Sequence, residues 1–238
     1  MHVPDGFLDA PTSAATAAVA AGAAAVGVVG MASRRATAEL QDRQAPLAGL
    51  VAAFVFAAQM LNFPVGAGTS GHLMGGVLAA VLVGPWTAVL CMTVVLIVQA
   101  LLFADGGLTA LGTNVTLLGL VAVAVGWGAF RLLAALLPTT RGGVLAAAGV
   151  GAFLSVPVAA LVFTGLFAVG GVADVAVGTV AVAMGGVHAL IGLGEAAITV
   201  AVVGAVLAVR PDLVYGARAL RRATLLADRP ASVPAGAR

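Results

Sequence analysis

The sequence predicts an all-α, polytopic membrane protein with seven transmembrane helices, its N-terminus outside and its C-terminus in the cytoplasm. Three observations carry that prediction. The chain is 62% hydrophobic and only 8% charged, with a mean hydropathy of +1.15. Apolar runs of spanning length recur along it, and its cationic residues cluster between those runs. So few polar side chains cannot coat a water-soluble globule of 238 residues, so lipid must cover it. Abundant Gly and Ala beside 5% aromatics suit helices packed through small side chains, as in the Ala14, Ala18, Gly22 row and the Ala53, Ala57 pair.

A spanning helix needs about 20 mostly apolar residues. The first such run covers 12–32. Asp5 and Asp9 precede it where a secretory signal would carry Lys or Arg, so Met1 is read as the mature terminus, with the bulky His2 protecting it. A second run covers 47–63. The third, 73–85, rises only about 20 Å and reads either as a short span ending at Gly84-Pro85-Trp86 or as the first half of a broken helix. Runs over 86–103, 113–137, 143–168 and 181–209 complete the set.

Charge selects seven spans. With the N-terminus outside, Arg34, Arg35, Arg43, Arg131, Arg141, Arg210, Arg218, Arg221, Arg222, Arg229 and Arg238 all fall on the cytoplasmic side. Six spans with both termini inside would export the first three, against the positive-inside tendency. Seven spans turn Asp5, Asp9, Asp105 and Asp174 outward and leave Glu195 within the membrane. Residues 1–209 then form one transmembrane metal-binding domain. Residues 210–238 form an Arg-rich cytoplasmic tail, helical near Tyr215 to Leu226 and disordered beyond. The same distribution argues against nucleic acid as a partner, because the arginines are topology signals and not a binding stripe. Cys91, the single cysteine, allows no internal disulfide.

His2 is the most informative residue. A free terminal amine, the amide nitrogen of residue two and the imidazole Nδ1 of a histidine there close adjacent five- and six-membered chelate rings around one ion. A fourth nitrogen would complete a near-planar set typical of Ni(II) or Cu(II). His72 is a candidate for that fourth donor, since it follows the polar, Gly-rich stretch Asn62 to Gly71, with Ser70 in it, on the same side as Met1. Irregular backbone at membrane depth is tolerated where it lines a cavity. A loop histidine bonded to a backbone carbonyl would look the same in sequence. His188 and Glu195, seven apart, share one helical face and are a functional hypothesis by default inside a span. His188 could ligate or orient a ligand, and Glu195 could balance charge or clasp helices. Gln99, Asp105, Thr109 and Asn114 add polar groups around the next outer turn, as supporting residues. There is no His-Glu-x-x-His helix, no P-loop and no nucleophile paired with a base, so an enzyme is not expected and energy must come from a partner or a gradient.

Five segments together resemble the cobalt/nickel substrate-specific components of energy-coupling-factor transporters: Met1-His2-Val3-Pro4-Asp5-Gly6-Phe7-Leu8, Gly68-Thr69-Ser70-Gly71-His72-Leu73, Gly84-Pro85-Trp86, Gln99 through Gly107, and His188-Ala189-Leu190-Ile191-Gly192. The resemblance runs from Met1 to about Val209. It implies an outward N-terminus tucked into a seven-helix protein, with the Met1 amine, the backbone and imidazole nitrogens of His2, and the His72 imidazole binding transported Ni(II) or Co(II). It further implies a transmembrane coupling subunit, two cytoplasmic ATPases and a small accessory membrane subunit as partners, in the cell membrane. Asn114-Val115-Thr116-Leu117 departs from the family's Asn-Val-Phe-Asn. Val3-Pro4-Asp5 leans toward the nickel branch. The rival expectations are a self-contained channel or proton-coupled transporter using His188 and Glu195, and a purely structural membrane subunit.

Overall fold

The computed structural model describes residues 2–7, 13–39, 45–66 and 69–227. Helices α1 (Ser13–Glu39) and α2 (Ala45–Gln59) lead into a hairpin of β1 (Asn62–Gly66) and β2 (Thr69–His72), followed by α3 (Gly76–Val83) and α4 (Pro85–Leu102). Helix α5 (Leu111–Asn114) continues through a π-helical stretch (Val115–Val121) into α6 (Ala122–Leu136). The long α7 (Arg141–Gly170) and α8 (Val177–Val209) come next, then two 3₁₀ turns and α9 (Arg218–Ala227). The last of these matches the helix expected early in the tail.

Five segments are long and apolar enough to cross a membrane: Ala17–Glu39, Pro85–Leu102, Leu111–Leu136, Arg141–Gly170 and Val177–Val209. Their flanks leave large apolar side chains such as Val26, Val182 and Leu190 exposed, as a lipid-facing surface requires. The second run is shorter than expected, and the third is the short segment, ending at Gly84, that the sequence reads as a short span or half of a broken helix. Helix α2 has 15 residues, and the run at 73–85 contains an eight-residue helix, α3, buried along its whole length. Between them lies a strand pair that the all-α prediction did not contain. Asn62 pairs with His72, Phe63 with Gly71, Pro64 with Ser70 and Gly66 with Thr69, with a shift between Pro64 and Gly66. Pro64 and the glycines deny this stretch a helix, and backbone groups away from water must then find partners across a hairpin.

Two glycines set the packing. Gly84 has φ +100° and separates α3 from α4, and a Cβ there would lie 2.6 Å from Glu39 Oε2. That carboxylate accepts the Thr87 N–H at 2.8 Å and its hydroxyl at 3.1 Å, so the end of α1 caps the first turn of α4. At the α6–α7 crossing, a Cβ on Gly151 would come within 2.6 Å of the Gly126 carbonyl. The contact is backbone against backbone.

Polarity divides the bundle into two ends. His2, Asp5, Asp105 and Thr109 meet at one. At the other, Arg35 and Arg131 line one cleft with Glu39 and Tyr215, and Arg141 and Arg221 line another beside Pro211. Arg218 donates to the Glu39 carbonyl there.

Gly151→Leu should force α6 and α7 apart at a cost of about 1–3 kcal/mol, lowering the thermal midpoint in detergent by roughly 3–10 °C. Gly128→Leu on α6, where a Cβ would meet nothing within 4 Å, should leave it unchanged. Equal midpoints for the two variants would refute the close-contact account.

Candidate metal site

The segment 2–7 is fastened to the bundle at every second or third residue. Asn114, at the last position of α5, takes both groups of Val3: its Oδ1 accepts the Val3 N–H at 2.7 Å and its Nδ2 donates to the Val3 carbonyl at 3.1 Å. The Gly107 N–H donates to that same carbonyl at 2.9 Å. The Asp5 carboxylate accepts the Thr109 N–H at 2.7 Å and the Thr109 hydroxyl. These bonds, the hydroxyl's first, hold the Asp5 carboxyl below its ordinary value. The Phe7 carbonyl accepts the Val172 N–H, and its ring stacks on Phe163 with centroids 5.0 Å apart. The turn beneath must be glycine, since a Cβ at Gly107 would run into the Pro4–Asp5 backbone. The π-helical stretch begins one residue after Asn114, and the wider turn there is a recurrent feature of functional helices.

Held this way, the His2 ring lies against His72, with centroids 4.3 Å apart and a 32° tilt. His2 Nδ1 donates to Asp105 Oδ1 at 2.8 Å. Burial pushes the His2 imidazole below its ordinary value, against the opposing pull of Asp105. The same hydrogen bond holds the Asp105 carboxyl below its own ordinary value. The neutral ring therefore presents a lone pair at Nε2, which is buried and without a protein partner among the described residues. His72 is fully buried at the end of β2, and its Nδ1 donates to the Leu73 carbonyl at 2.8 Å. A carbonyl can only accept, so the His72 proton sits on Nδ1 and its buried, unpartnered Nε2 is a free donor to a metal.

Helix α8 holds the hairpin from below. Glu195 Oε2 accepts the Met74 N–H at 2.9 Å and Oε1 the Gly75 N–H at 2.6 Å. Gln59 Nε2 donates to the Met74 carbonyl at 2.7 Å from α2. One buried carboxylate thus caps α3 and fixes the two residues that come after His72-Leu73.

His188 is fully buried and donates Nδ1 to the Met184 carbonyl at 2.8 Å. A Cβ on Gly71 would lie 3.1 Å from its Nε2, so His188 packs under the strand carrying His72. His188 and Glu195 share a helix face as expected, yet each bonds to a different stretch of backbone. Gln99 is fully buried with both side-chain amide atoms unpartnered among the described residues, and its backbone carbonyl accepts the N–H groups of Phe103 and Asp105, ending α4 above the site. Asn62 faces His72 in the strand register but is exposed. Met1 and the side chain of Ser70 lie outside the described residues. Among the described residues, no three His, Cys, Asp or Glu side chains come together as a metal cluster. The side chains bring two imidazoles face to face, His2 and His72, and His188 Nε2 beneath the strand is likewise buried and unpartnered among the described residues. Sequence reasoning missed the pairings of Asp5 with Thr109, Val3 with Asn114 and Phe7 with Phe163, which span about a hundred residues or more and leave no local signal.

The chain is similar to known proteins over most of its length. The family described as the cobalt uptake substrate-specific transmembrane region matches residues 2–213. A protein of Haloquadratum walsbyi provisionally named for metal transport is 40% identical over 226 residues, covering 90% of this chain and 94% of that one. A protein of Archaeoglobus fulgidus provisionally named a fused nickel transport protein is 37% identical over 222 residues, covering 90% of this chain and 68% of its own length. The crystal structure of a truncated transition metal transporter superposes with a TM-score of 0.77 at 29% identity, over 87% of this chain and 98% of that one.

Two substitutions test the fastening. Asn114→Ala removes both side-chain bonds to Val3, worth about 2 kcal/mol together, and should speed amide exchange across 3–7 by about 30-fold, read by hydrogen-exchange mass spectrometry. Glu195→Gln sets an amide NH₂ against a backbone N–H, at a cost of about 1–3 kcal/mol, and should speed exchange at Met74 and Gly75. Unaltered exchange at either place would rule out the corresponding clamp.

Proposed function

This chain belongs to the cobalt uptake substrate-specific transmembrane family of multi-pass metal transport proteins, and from that premise we propose that it captures Ni(II) or Co(II) from outside the cell for an ATP-driven importer. The observation that carries the reading is the docking of residues 2–7, which sets the His2 ring against that of His72, centroids 4.3 Å apart, with His72 Nε2 buried and unpartnered among the described residues. Two imidazoles alone hold a divalent ion weakly. The remaining nitrogens come from the main chain: the Met1 amine and the His2 amide, closing a chelate with His2 Nδ1, and His72 Nε2 as the fourth donor. The metal would then take the place of the Asp105 carboxylate at Nδ1 as the ring proton moves to Nε2, and four nitrogens in a near-plane favour Ni(II) over ions that demand oxygen.

A cleft of about 390 Å³ opens beside the docked segment, lined by Pro4, Asp5 and Thr109 among others. An acidic mouth raises the local concentration of a divalent cation. The chain makes seven membrane passes if α2 with β1, and β2 with α3, each form one crossing. Gathering the described arginines at the opposite end supports a cytoplasmic C-terminus under the positive-inside tendency. Residues 1–209 serve as the membrane domain and 210–238 as the tail. The sequence holds no P-loop, so the proposed partners are a transmembrane coupling subunit, two ATPases and a small accessory subunit.

Adding one residue before Met1, or making His2→Ala, should abolish high-affinity nickel binding in calorimetry while the thermal midpoint of the metal-free protein is retained. Wild-type affinity in the extended protein would falsify the main-chain chelate. Protons give a second check. The chelate takes up the metal only with its amine and amide deprotonated, so affinity should rise with pH between about 6 and 8. About one proton or more should leave per nickel bound near neutral pH, measured by calorimetry in buffers of differing ionisation enthalpy. His2, already biased to the neutral ring, contributes little to that count. Binding with no proton release would point to an all-imidazole site.

A further inference from the structure

Another cleft lies at the end remote from the histidines. It encloses about 560 Å³ between α1, the first turn of α4 and the π-helical stretch with α6. Its inner walls are apolar, from Val28, Val89, Leu120 and Val123. Its mouth carries Arg35, Arg131, Trp86, Trp127 and Tyr215. The Arg35 guanidinium sits 4.8 Å over the Trp86 ring, which keeps it at the rim. Arg131 has no hydrogen-bond or ion-pair partner among the described residues. Glu39 also faces the cleft, but its Oε2 is held by the first turn of α4 through Thr87, where the helix dipole offsets its charge.

We propose that this cleft binds one anionic phospholipid, its phosphate between Arg35 and Arg131 and the head of its acyl chains on the apolar walls. The two guanidinium groups suit phosphate oxygens, and they line the cleft together with two indoles and a phenol, side chains of the kind that favour the headgroup region of a bilayer. Basic pockets between membrane helices are a known class of anionic-lipid site. Size argues against a helix from another protein. A helix about 10 Å across occupies roughly 400 Å³ per turn, so the cleft holds little more than one turn, whereas a headgroup and its first methylenes fill it. The open side of α1 carries exposed Val26 and Met31, a surface for the rest of the acyl chains. The inference goes beyond metal capture and does not depend on it.

The test is lipid retention by the purified full chain, read by native mass spectrometry after equilibration with equal amounts of dioleoyl phosphatidylglycerol and dioleoyl phosphatidylcholine. One phosphatidylglycerol should be retained per chain in preference to phosphatidylcholine. Each arginine contributes about fivefold, so Arg35→Gln with Arg131→Gln should cut the preference roughly 30-fold, while Arg221→Gln with Arg222→Gln on α9 leaves it intact. Ala124→Trp, which fills the cleft without changing its charge, should expel the lipid as well and covers the case in which the double variant fails to fold. Equal retention of the two lipids, an unchanged preference in the Arg35/Arg131 variant, or a co-purifying protein segment in the cleft with no phosphatidylglycerol would each overturn the proposal.

Discussion

Backbone that leaves a helix inside an apolar bundle has no water to bond with, so every N–H and carbonyl it exposes must find a protein partner. Here that requirement falls hardest on the chain between α2 and α3, and Glu195 meets most of it. Its two oxygens hold consecutive N–H groups, and Gln59 takes the carbonyl between them. The carboxylate is costly to bury alone but is stabilised by those donors at the start of α3. This clamp sets the placement of His72, since the strand register and the capped helix leave its ring one position. An ionisable group inside a membrane helix is thus bonded to the backbone of the neighbouring segment.

The second consequence is a socket. With β2 fixed below, Asp105 to Thr109 above and Asn114 at the side, the segment 2–7 enters as an added element held through the Val3 and Phe7 backbone and the His2, Asp5 and Phe7 side chains. Such contacts fix both its path and its side chains, so the segment behaves as part of the fold and holds the His2 imidazole in place. Preorganisation matters for a metal carrier because the cost of ordering a flexible terminus would otherwise subtract from affinity. The same rigid frame separates an acidic mouth from an arginine-rich base by the length of the bundle.

His188 and Glu195 illustrate how a sequence pattern can be right about location and silent about role. Spacing placed both on one face of α8 and inside the bundle. It could not say that one bonds to Met184 within its own helix while the other reaches across to α3. Asn114 shows the converse: a single polar residue near a helix end gave little away, yet it is the residue that grips Val3. The hairpin was foreshadowed by Pro64 and its neighbouring glycines as irregular chain, but strand pairing depends on a register between segments that periodicity within one segment does not encode.

From the sequence alone came the membrane class, the order of the apolar segments, the segregation of arginines from acids and the choice of His2 and His72 as candidate ligands. These rest on local quantities, namely hydropathy, run length, charge position and chelate-ring size. Tertiary structure decided that α2 and α3 are short, that a hairpin joins them, and that His2 meets His72 while His188 packs beneath the strand. Each of those outcomes depends on contacts between residues far apart in the chain, where the energy of a hydrogen bond depends on which partner arrives, and no local signal specifies that.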